Sequence, residues 1–215
     1  MSALTALALF AAVFITLIVP GQDFVTVVRL SVTRSRSAGI AAAGGVSTGL
    51  LVWSLASLLG VAALLEHHAD LGRGLRMGGA VVLAGFGLYA IFRALVPARA
   101  ASADATGTGS AAIAATGLRG WATGLLSNLS NVKLLVFFGS IFSGFVPHGI
   151  GLGGIALIAC GIAAMSFGWF GLVAVLGSHP RLARLYLRAG RSMDVAFGLV
   201  FIAIAAIVFC GALAG

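Results

Sequence analysis

The sequence predicts an all-α integral membrane protein with six transmembrane helices, arranged as a 3+3 inverted repeat whose first and fourth helices are broken. Three observations lead there. Of 215 residues, 60% are hydrophobic and only 8% are charged, against roughly 25% charged in soluble domains. The charged residues cut the chain into apolar stretches of membrane-spanning length. The basic residues crowd into alternate connections. Thirteen basic and five acidic side chains cannot clothe a soluble globule of this size, which excludes a soluble enzyme. Disorder is excluded because disordered chains are poor in apolar residues.

Asp, Glu, Lys and Arg are absent from 1–22, 37–65, 77–92, 134–180 and 195–215. A helix crossing the hydrocarbon core needs roughly 20 apolar residues. Pro147-His148-Gly149 divides the fourth of these stretches, and 120–132 carries no charge before Lys133. The expected spans are therefore 3–26, 39–64, 77–96, 120–145, 152–176 and 193–214. A β-barrel would show segments of about ten residues with alternating polarity; these runs show none, and helices satisfy their own backbone in lipid. A cleaved signal peptide needs a basic n-region, but Met1–Pro20 has no Lys or Arg, so the first helix is expected to stay.

Ten of the basic residues fall in odd-numbered connections: Arg29, Arg34 and Arg36; Arg93, Arg99 and Arg119; Arg181, Arg184, Arg188 and Arg191. The positive-inside rule puts those loops in the cytoplasm and both termini outside. The net charge of +8 thus orients the chain in a membrane and does not call for nucleic acid. Residues 98–117, rich in Ala, Ser, Thr and Gly, read as a cytoplasmic linker. It separates a first three-helix half, 1–97, from a second, 118–215. Halves with an odd number of spans, if related, have opposite topologies.

Two places inside the apolar runs carry polar chemistry. The first is Pro20-Gly21-Gln22-Asp23. Proline lacks the backbone donor and glycine weakens a helix, so the pair should interrupt span one beside its single carboxylate. The plainer alternative is that Asp23 marks the helix end and Pro-Gly is a turn. The second place is Ser127-Asn128-Leu129-Ser130-Asn131-Val132-Lys133. Asn128 and Asn131, three apart, are expected to share a helical face, with Lys133, the chain's single lysine, just beyond. The plainer alternative is a lysine reaching for the interface and asparagines bonding neighbouring helices. Intramembrane ionisable groups are functional candidates by default.

Other features have ordinary explanations. Asp194 after Ser192 reads as the acidic cap opening span six. Glu66, His67, His68 and Asp70 read as a solvated outward loop, with a metal or pH-sensing site as the alternative. His148 and His179 read as interfacial. Cys160 and Cys210 form no Cys-x-x-Cys pair, which disfavours thiol relay, and are expected to pack as small apolar groups. The 31 glycines suit close helix approach in membranes. Gly45-x-x-x-Gly49, Gly120-x-x-x-Gly124 and Gly149-x-x-x-Gly153 have the spacing for packing within the chain, with a homodimer seam as the alternative.

Pro20-Gly21-Gln22-Asp23-Phe24 and Asn131-Val132-Lys133, followed by Phe137-Phe138, resemble the two signatures of the LysE/RhtB family of lysine, homoserine and threonine exporters. The resemblance covers essentially the whole chain. Relatives usually read Pro-Gly-Pro and Asn-Pro-Lys, so Gln22 and Val132 depart from the pattern. The resemblance implies export of amino acids or similar small metabolites across a bacterial inner membrane by proton antiport, with no cofactor. The partners are then the amino-acid substrate, protons and membrane lipids. It carries roles to Pro20, Gly21, Asp23, Asn131 and Lys133. Asp23 is expected to be the proton-coupling group, alternating between protonated and ionised forms. Asn128, Asn131 and Lys133 are expected to face a substrate carboxylate.

The alternatives are a metal or cation exporter, which needs several buried carboxylates or thiolates, and a non-transporting scaffold subunit. An intramembrane protease would need a buried nucleophile and histidine base, and all four histidines sit near helix ends.

Overall fold

The computed structural model describes residues 2–67, 71–95, 117–131, 133–146, 149–177 and 179–214. The His68–Asp70 part of the outward cluster, the 98–117 linker apart from Gly117, Val132 and Pro147-His148 lie outside them. So do the side chains of Glu66, His67, Lys133 and most of the arginines. The described residues form eight helices and no strand: α1 (Ala3–Ile18), α2 (Gln22–Thr33), α3 (Arg36–His67), α4 (Leu71–Leu95), α5 (Gly117–Leu129), α6 (Lys133–Phe145), α7 (Leu152–Gly177) and α8 (Pro180–Ala214).

Local sequence accounts for the boundaries. Ser2 starts α1 by accepting the Thr5 N–H at 3.1 Å, and Ser35 starts α3 by accepting the Ala38 N–H at 3.2 Å, as helix-capping hydroxyls do. Pro20 forces the residue before it out of helix: Val19 is extended, and α1 and α2 meet at a bend of 54°. The expected break in span one is therefore present. Where the fourth span was expected, α5 and α6 are separate helices, although 130–132 contains neither Pro nor Gly.

Among the described residues, three helices are long and apolar enough to cross a membrane: Arg36–Ala62, Leu152–Gly177 and Ser192–Leu213. The bent α1–α2 pair, counted as one span, makes a fourth, and α4 contributes the shorter apolar stretch Met77–Phe92. The outer surface is itself apolar, with Leu157 75% exposed and Ile207 70% exposed, a surface stable in lipid and aggregation-prone in water.

Two readings need correction. Asp194 does not open a helix, because α8 begins at Pro180, where a proline costs no hydrogen bond. Hydropathy marks the lipid-embedded part of α8, while the hydrogen-bonded helix continues into its polar arginine-rich end. Cys160 and Cys210 are exposed on the bundle surface and are not packed inside it.

The centre of the bundle is α3, which packs on α2, α5, α6 and α7. Its tightest partner is α5. A Cβ on Gly45 would collide with the backbone of Trp121 and Leu125, and one on Gly124 would collide with the backbone of Ala42. Gly120 lies close to Ala38, whose carbonyl oxygen would be 2.8 Å from its Cβ. Two of the three glycine pairs thus form one reciprocal seam within the chain. The third does not: Gly149 precedes α7 in a turn at φ 72°, a conformation that glycine adopts freely, and Gly153 meets nothing within 4 Å.

On the other side, α4 and α8 cross at Gly87 and Gly198, each against the other's carbonyl oxygen. The α6 ring ladder closes the gap between the two groups. Phe137 stacks on Phe201 of α8 at 5.5 Å, and Phe138 stacks on Phe142 at 5.3 Å.

The seam makes a direct prediction. Gly124→Leu overpacks it and lowers stability by roughly 1–3 kcal/mol or more, whereas Gly153→Leu, with open space around it, leaves stability unchanged. Thermal unfolding in detergent reads the difference. Equal losses in the two variants would mean that the seam does not hold the bundle together.

Candidate functional site

The two interruptions meet. Asp23 sits in the first turn of α2, and its carboxylate accepts two hydrogen bonds from the end of α5. Asn128 Nδ2 donates to Oδ2 at 2.8 Å, and Ser127 Oγ donates to Oδ1 at 3.4 Å. Thr26, one turn along α2 and so on the same face, shares a hydrogen bond of 3.0 Å with Ser127 Oγ. With Thr26 as donor, the hydroxyls form a chain ending on Asp23. A carboxylate bonded this way is held in one orientation at the start of α2, where the helix dipole also favours negative charge.

Asn128 is the most tightly held member. It is completely buried, and its amide oxygen lies against α3 where Gly49 has no side chain; a Cβ there would collide with it. The amide nitrogen is therefore turned toward Asp23. Its Oδ1 has no hydrogen-bond partner among the described residues, and such a buried orphan acceptor costs free energy.

The end of α5 is capped from outside. Gln22 Nε2 donates to the Ser127 carbonyl at 3.0 Å, and Trp53 Nε1 of α3 donates to the Asn128 carbonyl at 3.3 Å. These occupy carbonyls that a helix leaves free at its C-terminus.

Of the residues expected from sequence, the structure brings Asp23 and Asn128 into contact. Pro20 and Gly21 form the interruption that starts α2, with Gly21 extended at its cap. Asn131 lies in the second interruption, not on the α5 face, so it does not share a helical face with Asn128. Its N–H bonds the Asn128 carbonyl at 2.9 Å and its carbonyl accepts the Leu134 N–H at 3.0 Å. Lys133 is the first residue of α6.

Sequence reasoning named Gly49 only in a close-packing pair, Gln22 only as a departure from the family pattern and Ser127 only within the second polar stretch, and it did not name Thr26 or Trp53. Of the two not named, Trp53 carried a signal, since an indole N–H in apolar surroundings needs an acceptor. Among the described residues, no three His, Cys, Asp or Glu side chains gather as a metal set.

A helical bundle with an apolar exterior, whose two interrupted helices meet over one hydrogen-bonded carboxylate, has the makings of a membrane transport protein. Comparison with known proteins agrees. The family model of the LysE type translocators matches residues 14–211. The threonine efflux proteins of Escherichia coli (strain K12) and Salmonella typhi are each 33% identical over 187 residues, covering 87% of this chain and 88% of their own length. An uncharacterized membrane protein of Haemophilus influenzae is 28% identical over 193 residues, 86% of this chain and 87% of its own. No solved structure matches the chain. The chain belongs to the LysE type translocator family. It is a multi-pass bacterial membrane protein that transports a small molecule, and not an enzyme.

Gly49→Ala tests how Asn128 is held. It should displace the Asn128 amide and lower transport severalfold, while Gly60→Ala, on the same helix with nothing within 4 Å, should transport normally. Equal transport by both variants would detach Gly49 from the site.

Proposed function

We propose that the protein exports amino acids or similar small metabolites across the bacterial inner membrane by proton antiport, with Asp23 as the proton-coupling group. One observation carries this reading: Asp23 is hydrogen-bonded by Asn128 and Ser127 at the point where the two interrupted helices meet. The threonine efflux proteins similar to this chain support an amino-acid substrate.

The chemistry of the junction suits a zwitterion. Two helices begin there, at Gln22 and Lys133, and two end there, at Ile18 and Leu129. Helix starts favour a carboxylate and helix ends favour an ammonium. In this reading the substrate ammonium competes with a proton for Asp23. Asn131 and Lys133, with the start of α6, face the substrate carboxylate, and Pro20 and Gly21 free the backbone beside it. A ligand that binds one protonation state better shifts the population of that state, which is what coupling requires.

The same reading takes α1–α2 and α5–α6 as broken single spans, giving six spans in a 3+3 inverted repeat with 98–117 as the cytoplasmic linker and both termini outside. Its support is in the packing. Exchanging α1–α4 with α5–α8 carries the α3–α5, α3–α6 and α1–α6 contacts into the α7–α1, α7–α2 and α5–α2 contacts, and returns α3–α7 and α4–α8 to themselves, while α2–α3 and α4–α6 find no counterpart of comparable extent.

Export from amino-acid-loaded cells, or uptake into inverted vesicles with an imposed pH gradient, tests the proposal. Asp23→Asn should abolish gradient-driven transport. Asn128→Ala removes a hydrogen bond to a charged partner, worth roughly 1.5–3 kcal/mol, and should slow transport by about tenfold or more. Near-normal, pH-gradient-dependent transport by Asp23→Asn would remove Asp23 from proton coupling, and normal transport by Lys133→Ala would remove Lys133 from the site.

A further inference from the structure

We propose that the interruption between α5 and α6 is imposed by α2 through Gln22, a positioning residue, and that α5 and α6 rejoin into one helix when α2 draws away. The residues between the two helices are Ser130, Asn131 and Val132, none of which breaks a helix by itself as Pro20 does. In an unbroken helix the Ser127 carbonyl accepts the Asn131 N–H, and the Asn128 carbonyl accepts that of residue 132. At the Ser127 carbonyl a side chain from another helix stands in that place. Gln22 Nε2 takes the Ser127 carbonyl at 3.0 Å, and Trp53 Nε1 approaches the Asn128 carbonyl at 3.3 Å. Displaced, the Asn131 N–H turns to the Asn128 carbonyl at 2.9 Å, one residue tighter than an α-helix allows.

The two donors differ in what holds them. Trp53 belongs to α3, which is locked to α5 along the glycine seam, so it stays when the bundle moves. Gln22 is exposed at the tip of α2, just past the bend, and the polar ties from that tip to α5 are the side-chain hydrogen bonds of Gln22, Asp23 and Thr26. Substrate or proton arriving at Asp23 competes for those bonds. Losing them frees the Ser127 carbonyl to take back the Asn131 N–H, an exchange of one amide–carbonyl hydrogen bond for another. In an unbroken helix, positions 128 and 133 project about 140° apart. The second interruption is thereby coupled to occupancy of the first.

Pulsed electron paramagnetic resonance on the full chain in liposomes tests this, with spin labels at Thr123→Cys on α5 and Gly139→Cys on α6 and with Cys160 and Cys210 replaced by Ser. Thr123 is exposed and a Cβ at Gly139 meets nothing within 4 Å. Gln22→Met keeps the length of the side chain and removes the donor. The expected result is a shift of the distance distribution toward the roughly 24 Å that 16 residues of continuous helix span, with a severalfold fall in amino-acid export. Adding Val132→Pro, which has no N–H and crowds the carbonyl four residues back, should restore the distance.

An unchanged distance distribution in Gln22→Met overturns the proposal, whatever happens to export. So does a distance that proline fails to restore, which would mean that the shift is not a rejoining of the two helices. The export readout rests on the function proposed above and the distance readout does not. Distances that respond to Gln22 in a protein that exports no amino acid would uphold the latch and overturn the function.

Discussion

The site depends on how closely α3 and α5 approach each other. Gly45, Gly120 and Gly124 let the two backbones touch, which neither helix could do with a larger residue. The same seam places Gly49 against the Asn128 amide and Trp53 against the Asn128 carbonyl. Packing in lipid has no hydrophobic drive between helices, so contact area and hydrogen bonds must supply the association. The seam provides the first and so places the groups that make the second. Asp23 is oriented by Asn128, and Asn128 is oriented by the absence of a side chain at Gly49.

This hierarchy separates rigid from movable parts. α5 is joined to α3 by backbone contact along several turns, whereas the tip of α2 is joined to α5 by hydrogen bonds from Gln22, Asp23 and Thr26. Hydrogen bonds between polar groups exchange with substrate or water at small net cost, while an interlocked seam must open as a whole. A transporter needs both kinds of contact. One part keeps the binding groups in register, and another gives way when occupancy changes.

Much of this was legible along the chain. The helical membrane class follows from scarce charge, the first interruption from Pro20, and the candidacy of Asp23 from its being a carboxylate in an apolar run. Asn128 was legible as a carboxamide in a second such run. The capping role expected of Asp194 was not realised, because hydropathy ends where the apolar face ends while hydrogen bonding continues back to Pro180. The shared face expected of Asn128 and Asn131 was not realised either, because that expectation took the helix through 130–132 as unbroken. Gln22 read only as a departure from a motif, although its side chain is one of two that cap α5.

What the sequence by itself determined is therefore what depends on composition and on local backbone chemistry. Those are the membrane solvent, the helical class, the proline-made break and the short list of ionisable groups that apolar surroundings make costly. What only the tertiary structure decided is which of those groups meet and where the second helix stops. Both are settled by partners about a hundred residues away, Gln22 on Ser127 and Asn128 on Asp23. A hydrogen bond of that separation leaves no periodicity or spacing in the chain, since it exists only once the glycines of α3 and α5 have brought the two halves together.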